Sequence, residues 1–501
     1  MVKKEERKFL VAIELLGTGT EVIVFDFDGA IKGRSFNAIN QFYPEEGLVE
    51  INANDIWRSA LNTMSEALSK GGIYYDEVGA IGIASQRNIV VAWDKKTGEP
   101  LCNAVAQRCL RGSKLCQEFI KKGAEGEIKK RTGLHLAPEH AGFKISWLLD
   151  RVPNLRKRAL KGEVAFGGIE TWVLWKMTEG KAHLTDYTNA SRTMLFNIKT
   201  LQWDAYVLKK LGIPQSVLPQ VRPSGAGFGA TERYGNLIEG IPIGAVATLD
   251  QASMVGLGIV DKGVCRVNYG DGARCIEFIG GALKIAKGPF QTVLSCSRDK
   301  APLYAMEAKI MSSGVDAGWV RDNLKLINAL SESDEISERA AGGGGLYLVP
   351  AFGPVNPYNK GAFAGALLGV HSGITKDHVV RASLEALSYQ TKDLIDLLGK
   401  EAGTPIRGLM ADGSSSKNNF LMQFVANLLD QKVNRPPIQE VSALGIAFFA
   451  GLAAKHFRQV QDIHKIAKND KVFSPSITAK ERAAMIKGWT RAVKTAIAHN
   501  G

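Results

Sequence analysis

The stretch FLVAIELLGTGTEVIVFD, residues 9–26, decides the fold class. Apolar runs on either side of GTGT at residues 17–20 predict two strands joined by a tight turn. A second pattern of this kind begins at residue 263, where two apolar runs flank NYGDG at residues 268–272. A hairpin near the start of each half predicts a duplicated α/β unit.

Strands and helices alternate outward from each hairpin. Helical apolar spacing over residues 56–68 precedes a short buried strand at 80–84, and a helix is expected at 418–429. The apolar run at 443–454 is too short to span a bilayer, so we expect a buried helix there. We place a boundary near residue 255, which gives domains 1–254 and 255–501 with a ligand cleft between them.

Composition excludes several function classes. The 501 residues carry six Cys without a C-x-x-C pair, so we expect a cytoplasmic protein without a metal or disulfide framework. The net charge of +13 is scattered and no nucleic-acid motif accompanies it. It indicates either a plain basic surface or attraction to an anionic partner. The absence of G-x-x-x-x-G-K-[ST] and H-E-x-x-H argues against P-loop NTPases and zinc peptidases.

Five segments, in order along the chain, match one known family. They are AIGIASQR at 80–87, TDYTNASRTMLFNIKTLQWD at 185–204, WVRDNLKLIN at 319–328, NNFLMQF at 418–424 and EVSALG at 440–445. In these segments the chain closely resembles the FGGY carbohydrate kinases, in particular their glycerol kinase branch. The resemblance implies two actin-like, ribonuclease H-like α/β domains that flank a cleft. It also implies phosphoryl transfer from ATP, with Mg²⁺, to a hydroxyl of a polyol or sugar.

The same resemblance assigns the acceptor site. It implies that Asp250 takes the hydroxyl proton, although an Asp here could instead cap the following helix. It places Gln86, Arg87, Asn88, Glu139 and Gln251 on the acceptor. Three residues of this pocket depart from the family: Asn88 and Glu139 stand where the family has Glu and Tyr, and Gln107 replaces a Trp. Because mismatched buried polar groups cost roughly 1–3 kcal/mol each, we expect an acceptor other than glycerol.

The nucleotide loops depart further from the family. In the first loop, Leu16 takes the position of a family glycine unless the pairing slips by one residue, which would place Gly17 and Thr18 in the turn. Both registers are open, and Glu14 is a weak candidate for holding Mg²⁺. In the second loop Asp271 follows Gly270 where the family has Thr, which predicts repulsion of the phosphates. The resemblance assigns the remaining nucleotide contacts to Gly314, Asp412, Gly413, Ser414 and Asn418.

Three functional hypotheses follow from these departures. The first is an ATP-dependent polyol or sugar kinase with impaired or altered activity. The second is a catalytically inactive relative that acts as a binding or structural protein. The third is a metal-dependent activity built on Glu14, Asp250 and Asp271. Family relatives also suggest a homo-oligomer and peripheral association with an organelle such as the mitochondrion.

Overall fold

The computed structural model describes residues 7–270, 273–310, 317–351, 364–459, 462, 466 and 471–499. Its strands, numbered in chain order, are β1 Phe9–Leu16, β2 Gly19–Asp26, β3 Ile31–Ala38, β4 Gln41–Phe42, β5 Glu50–Ile51, β6 Val78–Ser85, β7 Val91–Asp94, β8 Ala104–Val105, β9 Val164–Gly167, β10 Leu184–Asp186, β11 Phe196–Asn197, β12 Gln202–Trp203, β13 Gln220–Arg222, β14 Ile243–Thr248, β15 Val264–Asn268, β16 Ala273–Gly280, β17 Gln291–Ser295, β18 Leu303–Ile310, β19 Tyr347–Val349, β20 Ala366–Leu368, β21 Gly408–Asp412, β22 Val433–Arg435 and β23 Lys471–Phe473.

The helices, numbered in the same way, surround two main sheets. They are α1 Ala53–Gly71, α2 Ser113–Lys121, α3 Glu125–Thr132, α4 Ala141–Arg151, α5 Leu155–Leu160, α6 Ile169–Met177, α7 Tyr187–Arg192, α8 Ala205–Leu211, α9 Leu249–Gly256, α10 Ala317–Asp322, α11 Glu332–Arg339, α12 Lys376–Ala402, α13 Asn419–Leu429, α14 Val441–Ala453 and α15 Ala479–His499. Among the described residues, none of these helices is both long and apolar enough to cross a membrane.

The first sheet has the strand order β14-β6-β1-β2-β3. Its β1–β2 hairpin pairs Leu16 with Gly19, so Gly17 and Thr18 form the turn. Strand β6 lies parallel to both β1 and β14, and Ser85 is paired with Thr248 at the carboxyl end. Because the carboxyl ends of parallel strands meet at one edge of a sheet, the segments that follow β6 and β14 lie side by side.

The second sheet has the strand order β17-β18-β16-β15-β21-β22-β23. Its inner strands set one row of residues across the sheet. Asp412 on β21 is paired with Asn268 on β15, Asn268 with Arg274 on β16, and Arg274 with Lys309 on β18. Directly paired residues project from the same face. The side chains of this row therefore line one side of any cavity over that face of the sheet.

Helix α14 comes from the second half of the chain but packs on the first sheet. Its buried Ala443 and Ala447 belong to one apolar cluster with Leu10 and Ala80 of that sheet. The apolar run at 443–454 is thus a buried helix, as the sequence predicts. The two halves therefore also pack against each other through α14. The division into 1–254 and 255–501 stays a prediction.

Helices α9 and α14 approach each other through glycines. A Cβ atom on Gly445 would lie 2.0 Å from the carbonyl oxygen of Ala252, and one on Gly256 would lie 1.9 Å from that of Val441. Real Cβ atoms do not approach backbone this closely, so the crossing requires glycine on both helices. The contact matters for the site because α9 carries Asp250 in its first turn.

Candidate active site

A cavity of about 560 Å³ lies between the edge of the first sheet and the residue row of the second. The first half of the chain contributes the residues after β6, the segment around Gln107, and Asp250. The second half contributes Asn268, Arg274 and Lys309. Of the predicted acceptor residues, the structure brings Gln86, Arg87, Glu139 and Asp250 together in the wall of this cavity.

Asp250 is held by three arginines. Arg87 Nη1 donates to its Oδ2 at 2.7 Å, and Arg266 Nη1 donates to its Oδ1 at 3.0 Å. Arg274 Nη1 lies 3.2 Å from Oδ2. Burial alone would raise the pKa of Asp250, but the charges of Arg274, Arg87 and Arg266 outweigh it and hold that pKa well below its usual value. The side chain faces the arginines, and the residue at the N-cap position of α9 is Thr248, two residues before Asp250.

Arg266 connects Asp250 to the nucleotide side of the site. Its side chain is 4% exposed, and its Nη2 donates to Asp412 Oδ2 at 2.7 Å. One guanidinium thus bridges the carboxylate at the start of α9 and the carboxylate at the end of β21. Because a buried ion pair needs good geometry to offset its desolvation, this bridge places the two carboxylates at a defined separation.

A second buried ion pair lies behind the first. Arg192, in the segment that resembles the family most closely, binds Glu307 through both nitrogens, with Nη2 at 2.5 Å from Oε2. Burial alone would raise the pKa of Glu307, but the charges of Arg192 and Arg274 outweigh burial and lower that pKa to about 2. Arg274 Nη1 lies 4.0 Å from Glu307, so Arg274 stands between this carboxylate and Asp250.

Gln86 joins the turn of the first hairpin to the cavity wall. Its Oε1 accepts from the Gly17 N–H at 2.6 Å, and its Nε2 donates to Gln107 Oε1 at 2.5 Å. Gln41 Nε2 donates to the Gly17 carbonyl at 2.8 Å. The turn itself consists of Gly17 and Thr18, which is the arrangement of the slipped register. Their contact with phosphate stays a prediction.

Asn88 and Gln251 do not line the cavity. Asn88 has φ 61° and its Oδ1 accepts from the Ala141 N–H at 3.2 Å, so its side chain faces the start of α4. Lys144 of that helix donates to the carbonyls of Asn88 and Gln107 at 2.8 Å each, which holds the wall in place. Gln251 is fully buried, and its amide has no hydrogen-bond partner among the described residues. The predicted acceptor contacts of Asn88 and Gln251 stay predictions.

The predicted nucleotide loops lie side by side at the ends of β15 and β21. The Tyr269 N–H donates to the Asp412 carbonyl at 2.8 Å, just before Gly270. Gly413 has φ 89°, and a Cβ there would lie 2.7 Å from the Tyr269 carbonyl carbon, so the close approach of the loops requires glycine. Asp271 and Gly314, which the sequence also assigns to the nucleotide, lie outside the described residues.

A second cavity, of about 370 Å³, opens beyond these loops. Its lining includes the predicted residues Ser414 and Asn418, and also Ser333 and Leu384. Asn418 caps α13 through Oδ1 and donates from Nδ2 to Ser333 Oγ at 3.0 Å. Polar groups on an apolar wall suit a nucleoside, and this is the side of the molecule where the sequence places one.

Glu14 lies apart from Asp250 in its own buried surroundings. Burial raises its pKa to about 7, since the lowering by a Ser442 hydrogen bond is smaller and the charges of Glu21 and Glu440 raise it further. Its Oε1 has no partner among the described residues. Over all the residues that the structure describes, no cluster of three or more His, Cys, Asp or Glu side chains is arranged to hold a metal ion. A role for Glu14 with Mg²⁺ stays a prediction.

Comparison with known proteins identifies the family. The N-terminal domain of the FGGY family of carbohydrate kinases matches residues 9–256, and its C-terminal domain matches residues 282–454. The chain belongs to the FGGY family of carbohydrate kinases. The chain is 39% identical to a glycerol kinase of Vibrio cholerae over 492 residues, which cover 98% of this chain and 97% of that protein. It is 40% identical to a glycerol kinase of a Shewanella species, over 97% of this chain and 99% of that one.

Solved structures confirm the predicted fold of this FGGY kinase. Plasmodium falciparum glycerol kinase with ADP superposes with a TM-score of 0.92 at 29% identity, over 97% of this chain and 98% of that one. A xylulose kinase from Lactobacillus acidophilus shares the fold, with a TM-score of 0.83 at 20% identity over 97% of each chain. The chain therefore has the two-domain, actin-like α/β fold that the resemblance implies.

Sequence reasoning missed four charged residues of the site in this FGGY kinase: Arg266, Arg274, Glu307 and Lys309. A signal for two of them existed. Arg266 interrupts the apolar strand VCRVN, and Glu307 interrupts LYAMEAKI. Because a charged side chain inside a buried strand is costly unless paired, each predicts an opposite charge on a neighbouring element.

Proposed function

We propose that this member of the FGGY family transfers the γ-phosphoryl group of Mg-ATP to a hydroxyl of a polyol or sugar, and that its acceptor preference is altered from glycerol. The main support is the position of Asp250, an ionised carboxylate in the wall of a polar cavity. Arg266 links it to Asp412 beside the predicted nucleotide loops. A carboxylate so placed can accept a proton from a hydroxyl that attacks phosphorus.

The step uses Asp250 as general base. The acceptor hydroxyl gives its proton to the carboxylate, and its oxygen forms a bond to the γ-phosphorus. The bond from that phosphorus to the β,γ-bridging oxygen breaks, and ADP leaves with the electron pair. Bound together with ATP, Mg²⁺ would supply positive charge that offsets the charge of the phosphates. Arg87 and Arg274, both in the cavity wall, are placed to stabilise negative charge that develops during transfer.

Altered acceptor choice is supported by the other side chains that line the cavity with Asp250. Glu139, Gln107, Arg274 and Lys309 make this lining polar and charged. A wall of this kind leaves polar groups unpaired against the carbon face of a small polyol, which weakens its binding. An acceptor with further polar groups satisfies them.

A second candidate, a catalytically inactive binding protein, is favoured by one observation. Both carboxyl oxygens of Asp250 already accept from arginines, and the low pKa that results makes a weak base. A carboxylate locked in this way would preserve the architecture of the site without taking a proton.

The two candidates are separated by ADP release from Mg-ATP over a panel of polyols, sugars and their acids. We expect acceptor-dependent release that falls about 10²–10⁴-fold in Asp250→Asn, which keeps the shape of the side chain but removes the base. Asp76→Asn serves as the control and should keep full activity, because Asp76 is exposed and is distant from Asp250 in the sequence. Release that is no greater with any acceptor than without one, or equal in Asp250→Asn, would reject the kinase and leave the binding protein.

A further inference from the structure

We propose that the acceptor carries an anionic group, a carboxylate or a phosphate, and that Arg274 and Lys309 bind it. The inference rests on the proposed function, because it names the class of acceptor for the same cavity. It is carried by the charges that line the cavity and by the place of these two residues in the second sheet.

Among the described residues, more cationic than anionic side chains line the cavity. Arg87, Arg108, Arg274 and Lys309 line it together with the carboxylates of Glu139 and Asp250. A neutral polyol brings no charge to offset this excess. Since unpaired charge is costly once water is displaced, occupation by a neutral ligand would leave Lys309 poorly compensated.

The crowding of cations is visible at Arg87. Arg87 and Arg274 share one carboxyl oxygen of Asp250, at 2.7 and 3.2 Å. Burial and the charge of Arg274 together lower the pKa of Arg87 to about 10, which Asp250 only partly counters. A further anion in the cavity would relieve this repulsion.

Lys309 is a cation that the described part of the chain leaves without an ion-pair partner. It is exposed at the cavity wall, and its neighbours in the sheet register are Arg274 and, one strand further, Asn268. Desolvation and the charges of Arg274 and Arg87 lower its pKa, as expected for a lysine in a field of like charge.

The cavity lining places this pair with the acceptor residues. The row runs Asp412, Asn268, Arg274, Lys309 over four adjacent strands. Strands lie about 4.8 Å apart, so Lys309 is about 14 Å along the sheet from Asp412. Arg274 and Lys309 line the same cavity as Arg87, Glu139 and Asp250, where the acceptor is expected.

An anionic acceptor would also free the base. Arg274 occupies Oδ2 of Asp250 together with Arg87. If the anion draws Arg274 toward Lys309, a lone pair of Oδ2 becomes available to the acceptor hydroxyl. Binding of the correct acceptor would then activate Asp250, and a neutral polyol would leave it engaged.

The test is calorimetric binding to the full chain in the presence of saturating ADP. The probes are two matched sets: glycerol, glycerate and glycerol 3-phosphate, and sorbitol, gluconate and sorbitol 6-phosphate. We expect at least one anionic member to bind about tenfold or more tightly than its neutral partner. Lys309→Met should weaken that binding about tenfold and should not weaken the binding of neutral polyols. Which anionic member binds tells carboxylate from phosphate. Because glycerol 3-phosphate and sorbitol 6-phosphate are also products of the proposed transfer, tight binding of these two counts as support only if they also release ADP from Mg-ATP.

Lys199→Met, an exposed lysine on another surface, is the matched control and should change nothing. The inference is overturned if neutral members bind as tightly as anionic ones, if Lys309→Met binds the anion like the parent, or if ADP abolishes anion binding. Its failure is distinct from failure of the kinase. Anion binding without ADP release would reject only the kinase, whereas ADP release with neutral acceptors alone would reject only the anionic acceptor.

Discussion

At the scale of the residue, carboxylates in this protein differ by what surrounds them. Glu277 on β16 is fully buried and neither carboxyl oxygen has a hydrogen-bond partner among the described residues. Burial raises its pKa to about 8, although Lys284 lowers it in part. The folded protein thus holds a proton that the unfolded chain releases above pH 4.5, so stability falls as pH rises from 4.5 to 8. We expect Glu277→Gln to remove this loss and to raise the free energy of unfolding at pH 8.5 by several kcal/mol, on the order of 4 kcal/mol.

The measurement is urea unfolding of both proteins at pH 6 and pH 8.5. Glu338→Gln, an exposed change on α11, is the control and should follow the parent at both pH values. Parallel stability curves for the parent and Glu277→Gln would contradict the expectation.

At the scale of the element, the crossing of α9 and α14 governs where Asp250 stands. In Gly445→Ala the new Cβ would meet the Ala252 carbonyl at 2.0 Å and the Gly256 nitrogen at 2.6 Å, and backbone atoms cannot rotate away. The helices must separate, so we expect a loss of about 1–3 kcal/mol in the free energy of unfolding. ADP release should fall as well, because small displacements of a base are costly.

Urea unfolding and ADP release test this expectation together. Gly126→Ala is the matched control, since Gly126 lies in helix α3 and a Cβ there meets no atom within 4 Å. It should stabilise the protein by about 0.5–1 kcal/mol through helix propensity. A Gly445→Ala protein as stable as the parent would show that the crossing is not tight.

At the scale of the whole molecule, the two halves meet across the cavity through Arg266. This side chain of the second sheet binds both Asp250 and Asp412. We expect Mg-ADP with an acceptor to draw the halves together and exclude water, as domain closure does in other phosphotransferases. Small-angle X-ray scattering should then show a smaller radius of gyration. Equal ionic strength without nucleotide is the control, and an unchanged profile at saturating ligand would count against closure.

The positive charge of the whole chain has a part in the site. Of the net +13, the excess at the cavity comes from arginines and a lysine that line it. The remaining basic surface still suits an anionic partner. That partner, a homo-oligomer, and a cytoplasmic or organelle-associated location stay predictions.

The sequence by itself determined the local elements and the family. Turn residues and apolar periodicity act over a few residues, so the hairpin at 9–26, the buried helix α14 and the place of Asp250 after a buried strand could be predicted. The resemblance of the segments at 80–87 and 185–204 to the family was enough to predict the fold, because such segments pack inside it.

Only the tertiary structure decided the charge of the cavity. Arg266, Arg274 and Lys309 lie on three strands whose pairing is not readable from composition, and strand register alone brings them to one face. The same holds for Asn88, whose left-handed backbone turns its amide toward α4 and away from the cavity. Electrostatic surroundings depend on distances between residues far apart in the chain, and these distances exist only once the sheets have formed.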